Sequence, residues 1–231
     1  DHAVNLAVRK KSDDRINYWG YTRGFYFAPK ESYCATKEPD REFRDMIRAL
    51  HKAGIECIME MYFPKGTPSL QMIRSLWFWK LYYHVDGFHL LGDGVQQDVI
   101  EHDPILYGTK KLFSNVSGEA GAENMLAEYN AGFMLDMRRF LKSDEGMISG
   151  AEFHVRRNTG NFGTVNYMAT QDGFTLYDTV SYNYRHNEAN GEDNRDGSEF
   201  NYSWNCGVEG STRKTAVRRM REQQMHNAFL M

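Results

Sequence analysis

The stretch whose reading decides the fold runs from Phe162 to Gly210: FGTVNYMATQDGFTLYDTVSYNYRHNEANGEDNRDGSEFNYSWNCGVEG. It opens with a short apolar run, Val165 to Ala169, bounded by Gly163 and Thr170, the pattern of a buried strand. The polar pair Gln171–Asp172 stands at its end, followed by Gly173 and the amphipathic run Phe174 to Val180. From about 183 to 210 the chain is a long polar loop, dense in Asn, Asp, Glu, Tyr and Trp. A loop of that length inside a compact chain is usually functional rather than connective. Carboxylates, amides and aromatic faces are the groups a sugar-binding cleft uses: hydroxyls take hydrogen bonds, and the apolar ring face stacks. A solvated, flexible insertion has the same composition, and composition alone does not separate the two.

Working outward, strands and helices alternate. In Pro39 to Ala53, Phe43, Met46, Ile47 and Leu50 fall at helical spacing, with Pro39 suited to the first turn and Gly54 after the end. Ile55 to Phe63 reads as a strand ended by Pro64. A helix from Pro68 to Tyr83 follows, with Leu70, Ile73, Leu76, Trp77 and Leu81 expected inward. Val85 to Leu91 and Tyr107 to Phe113 are further strands. Gly132 to Lys142 is helical with Phe133, Met137, Phe140 and Leu141 on one face, and Glu145 to Arg157 continues as another helix. Thr212 to Met231 closes the chain as a helix with Val217, Met220, Gln224, Ala228 and Met231 on one stripe. This alternation implies βα units and a parallel sheet with right-handed crossovers. It does not choose between a barrel and an open sheet.

The 231 residues, 41% hydrophobic and 26% charged, suit one soluble domain with a sizeable core. A net charge of -3 gives no reason to expect nucleic acid or an anionic membrane as partner. No apolar run is long enough to span a membrane and no signal peptide opens the sequence, so a cytoplasmic location is expected. Cys34, Cys57 and Cys206 are an odd number without metal-type spacing, and read as buried thiols in a reducing compartment. No cofactor is expected, and no metal. Glu192, Asn194 and Asp196 before Gly197 suggest a calcium loop only superficially, because Ser203 occupies the position that needs a glutamate.

Four blocks carry a resemblance: Gln171-Asp172-Gly173-Phe174-Thr175-Leu176, His186-Asn187-Glu188-Ala189-Asn190-Gly191-Glu192, Asn194-Arg195-Asp196-Gly197, and Ser203-Trp204-Asn205-Cys206-Gly207-Val208-Glu209-Gly210. Together they resemble the glycogen-debranching, isoamylase-type branch of glycoside hydrolase family 13. The resemblance implies a (β/α)8 barrel, with strands three to seven in this chain and α-glucan or maltooligosaccharide as ligand. Such a barrel would be incomplete. Five of eight strands leave unpaired edges, so further barrel segments or a homo-oligomer are expected to complete it. The block Asn17-Tyr18-Trp19-Gly20-Tyr21 resembles the family loop that supplies an aromatic platform, which assigns Tyr18 and Trp19 to substrate binding.

Function lives in site residues rather than in the fold. A retaining glycosidase needs two carboxyl groups about 5–5.5 Å apart, one as nucleophile and one as acid/base. In barrels these stand at the carboxyl ends of strands. The segment ending in Phe63-Pro64-Lys65 resembles one that ends in Asn-His, with Glu60 where the family has Asp. Val85-Asp86-Gly87-Phe88-His89-Leu90-Leu91 resembles Val-Asp-Gly-Phe-Arg-Phe-Asp: His89 replaces the arginine, and Leu91 replaces the nucleophile. Ser114 aligns with the acid/base. Asp172 keeps the substrate-gripping carboxylate, while Gln171 replaces the histidine before it. Glu60, His89, Gln171 and His186 are expected to touch substrate. The reading is an α-glucan-binding, hydrolytically inactive or severely weakened paralogue. The alternative is a working α-1,6-glucosidase that uses displaced carboxylates such as Asp93 and Glu119, with Glu123 a further possibility.

Overall fold

The computed structural model describes residues 2–4, 20–116, 125–157, 159–171, 173–190 and 194–231. Tyr18, Trp19, Glu119, Glu123 and Asp172 lie outside the described residues. The chain divides into two compact units, Asp1–Tyr129 with Thr159–Thr164, and Asn130–Asn158 with Val165–Met231.

The first unit opens with β1 (His2–Val4) and β2 (Gly24–Pro29), an antiparallel pair. Then come α1 (Pro39–Lys52), β3 (Ile58–Tyr62), α2 (Ser69–Phe78), β4 (Gly87–Leu91), α3 (Gln97–Glu101), β5 (Lys110–Phe113), β6 (Leu126–Asn130) and, after the helices α4 (Ala131–Leu141) and α5 (Ile148–Arg156) of the second unit, β7 (Gly163–Asn166). One sheet carries the order β3-β4-β5-β6-β7, and β3 through β6 run parallel. The expected parallel sheet is therefore present. Its strands are shorter than the sequence suggested, and the last begins at Gly163 rather than Val165.

Alternation within the strands sets two faces. Met59 and Met61 of β3, Phe88 and Leu90 of β4, Phe113 of β5 and Leu126 of β6 are all buried in one core with α1 and α2. Burying each such side chain contributes roughly 1.5–3 kcal/mol. Aromatic rings dominate the helix side: Phe43 meets Trp79 and Tyr83 edge-on, and Trp79 stacks on Tyr83. The Trp79 indole N–H donates to the Tyr26 carbonyl at 2.7 Å, tying β2 to this core.

The second expected helix is two pieces. After Phe78 the backbone widens into a π-helical turn, Trp79–Tyr83, and stops at His84 in the left-handed region (φ 62°). The wider turn shifts the inward face, so Trp79 and Tyr83 are buried while Leu81 is exposed. Leu70, in the first turn, is exposed too. Met46 of α1 and Phe140 of α4 were expected inward and lie outward, leaving Ile47, Phe133 and Met137 as the buried anchors.

Two local devices start β4. Asp86 accepts the Cys57 backbone N–H at 2.7 Å and pairs with His51 at 2.9 Å. Gly87 sits so close to its neighbours that a Cβ there would lie 2.7 Å from the Lys110 carbonyl oxygen and from Ile58 Cδ1. The Asp-Gly pair thus fixes where β4 enters between β3 and β5.

The second unit holds α4, α5 and α6 (Thr215–Leu230) with the polar loop. Asn130 caps α4, its side-chain oxygen accepting the Phe133 N–H at 3.1 Å. The stripe of α6 expected at Met220 is rotated: Arg221 and Ala228 are its buried positions, and Met220 is exposed. Of the three free thiols only Cys206 is buried; Cys34 and Cys57 are partly open, against the expectation that all are enclosed. No helix among the described residues is long and apolar enough to cross a membrane.

Candidate functional site

The face of the sheet opposite the helices carries the expected polar residues of the first unit. Glu60 is opposite His89 in register, and His89 is opposite Leu112. His89 Nδ1 lies 2.9 Å from Glu60 Oε2, and the Tyr21 hydroxyl donates to Glu60 Oε1 at 2.7 Å. The His89 ring lies against Tyr129 of β6 at 4.4 Å between centroids. A tyrosine, a carboxylate, an imidazole and a second tyrosine are thereby joined across the face. His89 Nε2 is buried and has no hydrogen-bond partner among the described residues. A buried imidazole nitrogen without a partner is costly unless something else supplies one.

Leu91 is the last residue of β4, one step beyond the Leu90–Phe113 pairing. Extending that register by one residue sets Ser114 opposite Leu91. The positions assigned to nucleophile and acid/base are therefore neighbours at the strand ends, one an apolar side chain and the other a hydroxyl. Asp93 follows on an exposed turn that is pinned down: the Gly94 N–H donates to the Phe63 carbonyl at 2.9 Å. A Cβ on Gly94 would lie 2.1 Å from the Pro64 carbonyl oxygen, and Gly92 has φ 97°. The turn requires both glycines, and they fix the backbone on either side of Asp93.

Gln171 and His186 belong to the second unit. Gln171 is exposed in a turn. His186 Nε2 lies 3.0 Å from Glu209 Oε1, and the same carboxylate accepts the Asn183 N–H (2.9 Å), the Tyr184 N–H (3.3 Å) and the Asn205 amide (2.9 Å). This carboxylate ties the two ends of the long polar loop together. Burial raises the Glu209 pKa, but the Asn183 N–H, the Asn205 amide, His186 and the Tyr184 N–H outweigh it and hold the carboxyl at about 2. The folded value lies below the ordinary ~4.3. Its stabilisation is thus fully present above that pH and is lost as pH falls toward 2. We expect exchange protection of the Asn183 and Tyr184 amides, corrected for intrinsic rate, to decline across that window, and to be low and flat with pH in Glu209→Gln.

Two buried arginines hold the rest of the loop through backbone carbonyls. Arg221 donates to Gly210 O at 2.8 Å, to Asn205 O at 3.0 Å and to Val208 O. Arg138 donates to Met168 O at 2.8 Å, Asn201 O at 3.0 Å and Phe174 O at 3.5 Å. Desolvation lowers the Arg138 pKa to about 10 and leaves it charged at neutral pH.

Tyr21 and Tyr129 are contacts that sequence reasoning missed. Tyr129 had a usable signal: Asn130 is a helix cap, so the residues before it end an element. Among the described residues no group of three or more His, Cys, Asp or Glu side chains is placed to hold a metal ion.

Scanned against models of protein families, the chain matches none. Individual relatives do match. A glycogen operon protein GlgX homolog of Mycobacterium tuberculosis is 29% identical over 292 aligned positions, covering 92% of this chain and 40% of the relative. The chloroplastic isoamylase SU1 of Zea mays is 26% identical, covering 99% of this chain and 41% of its own length. The first alignment is longer than the 231 residues of this chain, so that relative carries internal segments that this chain lacks. The chain spans about 40% of the length of these relatives. Among solved structures, a pullulanase from Bacillus acidopullulyticus superposes with TM-score 0.54 at 14% identity, covering 91% of this chain and 39% of that one. A Paenibacillus barengoltzii pullulanase in complex with maltohexaose and α-cyclodextrin gives 0.53 at 18%, covering 70% and 38%. The parallel sheet of this chain thus has the fold of a segment of a (β/α)8 barrel. Along nearly all of its length the chain is similar, at 26–29% identity, to a glycogen operon protein GlgX homolog and to an isoamylase.

Proposed function

We propose that this chain binds α-glucan and does not hydrolyse it. The observation that carries the reading is Leu91 at the end of β4, where a debranching enzyme needs its nucleophile, beside a hydroxyl at Ser114. Leucine offers neither a lone pair to attack an anomeric carbon nor a charge to steady a cation. Of the assigned positions, Asp172 would grip hydroxyls of the sugar, with Gln171 able to donate or accept beside it. Tyr18 and Trp19 would supply the stacking platform. His89, braced by Glu60, would offer its free ring nitrogen to a hydroxyl. The relatives' names, glycogen operon protein and isoamylase, and the maltohexaose in one pullulanase structure support α-glucan as the ligand class.

One aromatic face and a few charge-assisted hydrogen bonds, each about 1.5–3 kcal/mol at most, suggest affinity no better than micromolar. Calorimetric titration with maltohexaose of the protein and of Asp172→Ala tests this. Saturable heat from the first and its loss in the second is the expected pattern. Equal heats from both would remove Asp172 from the site.

A further inference from the structure

On the face of the sheet opposite the helices, hydrogen bonding decides which nitrogen of His89 carries the proton. Glu60 meets two donors on different oxygens: the Tyr21 hydroxyl on Oε1 at 2.7 Å, and His89 Nδ1 on Oε2 at 2.9 Å. A carboxylate only accepts, so the ring nitrogen that faces it must donate. In the neutral ring the other nitrogen, Nε2, then holds the lone pair. A carboxylate behind an imidazole commonly sets its tautomer and orientation in this way.

The ring has little freedom to turn. Tyr129 of β6 lies against it at 4.4 Å between centroids, with 30° between the planes, and Leu112 of β5 stands opposite in register. The side chain is 12% exposed. Nε2 is buried and has no hydrogen-bond partner among the described residues. A buried acceptor in that position is satisfied from outside the chain, by water or by a ligand group that donates.

We propose that Glu60, braced by Tyr21, is a positioning residue that fixes His89 as an acceptor, so that this point of the site selects a ligand group able to donate a hydrogen bond. The inference rests on the α-glucan reading above and makes it more specific: one glucose hydroxyl donates to Nε2. A free hydroxyl can donate, whereas an ether oxygen only accepts and would meet a lone pair there. His89 therefore distinguishes a free hydroxyl from a substituted one. Sites built to hydrogen-bond a hydroxyl discriminate strongly against analogues that lack it, because their own buried polar group is left unpaired.

Nitrogen NMR of the histidine ring reads the tautomer, at mildly alkaline pH where ordinary imidazoles are neutral. Without ligand, the expected His89 spectrum has a protonated Nδ1 and a bare Nε2. Maltohexaose should shift the Nε2 resonance and leave Nδ1 protonated, and calorimetry of the same titration gives the binding heat. Glu60→Leu removes the acceptor at similar volume. It should place part of the proton on Nε2 and weaken maltohexaose binding roughly 3–10-fold, the worth of one neutral hydrogen bond. A protonated Nε2 in the unmodified protein overturns the inference whether or not glucan binds, and so does an Nε2 that stays bare in folded Glu60→Leu. Binding heat without a shift at Nε2 would mean that water keeps that nitrogen: the inference fails and the α-glucan reading stands. With neither heat nor shift, both fall. Spectra of the unmodified protein decide the tautomer and the contact even if Glu60→Leu does not fold.

Discussion

Incubated with pullulan or glycogen, the purified protein should release reducing sugar no faster than buffer. The expectation comes from Leu91 and Ser114, neighbours by strand register at the positions that the resemblance assigns to the two carboxyl groups. General acid–base help alone is typically worth about 10²–10⁴-fold. Losses within one catalytic unit do not add, so absence of the first carboxylate already removes most of the rate. Restoring both, in Leu91→Asp with Ser114→Glu, is the informative variant, and a measurable rate there would locate the defect. Lys65 and Gln171 can still misplace the sugar, so a failed rescue would point to them. The rival reading gives Asp93 and Glu119 the catalytic work. Strong turnover by the unmodified protein, abolished by Asp93→Asn or Glu119→Gln, would establish it. The geometry around Asp93 argues the other way. Its turn is clamped by Gly92 and Gly94 over the Phe63–Pro64 backbone, two residues past the strand end, which along a strand is a displacement of about 6–7 Å.

Arg221→Met should destabilise the second unit by ~1–3 kcal/mol, because three half-buried carbonyls lose their donor and water can replace it only in part. Arg221 is almost wholly buried and faces backbone rather than a carboxylate, so the variant leaves acceptors without a partner rather than an unpaired charge. Urea unfolding followed by loop-specific exchange over 199–211 reads the effect. Arg221→Lys should recover only part of it, since an ammonium cannot present the same planar fork to three carbonyls. A change below about 1 kcal/mol in the methionine variant would mean that water replaces the guanidinium and that the loop is held elsewhere.

What sequence reading reached, and what it missed, follows the strength of each signal. Helix α1 was legible because Pro39, Ile47 and Gly54 mark its start, face and end, and α4 because Phe133 and Met137 anchor its stripe. The sheet was legible where hydrophobic alternation is deep, at Met59, Met61, Phe88 and Leu90. Strand β6 escaped because only Leu126 and Asn130 are buried in it and neither marks a strand. Strand β2 escaped for the opposite reason: Phe25 and Phe27 point outward and Tyr26 inward, so its aromatic run gives no clean alternation of apolar and polar. The two arginines that organise the loop were invisible, since a buried Arg that serves carbonyls has the same sequence signature as a solvated one. Glu60 and His89 were each singled out as expected substrate contacts, and the structure sets them 2.9 Å apart. Tyr18, Trp19 and Asp172 rest on the resemblance, and lie outside the described residues.

The most direct test of binding without hydrolysis is real-time proton NMR of a branched maltooligosaccharide in the presence of the protein. The expected result is broadening of the ligand signals with an α-1,6 anomeric resonance that keeps its intensity over a day. Decay of that resonance with growth of new reducing-end signals would contradict it, and so would a ligand spectrum that the protein leaves unchanged.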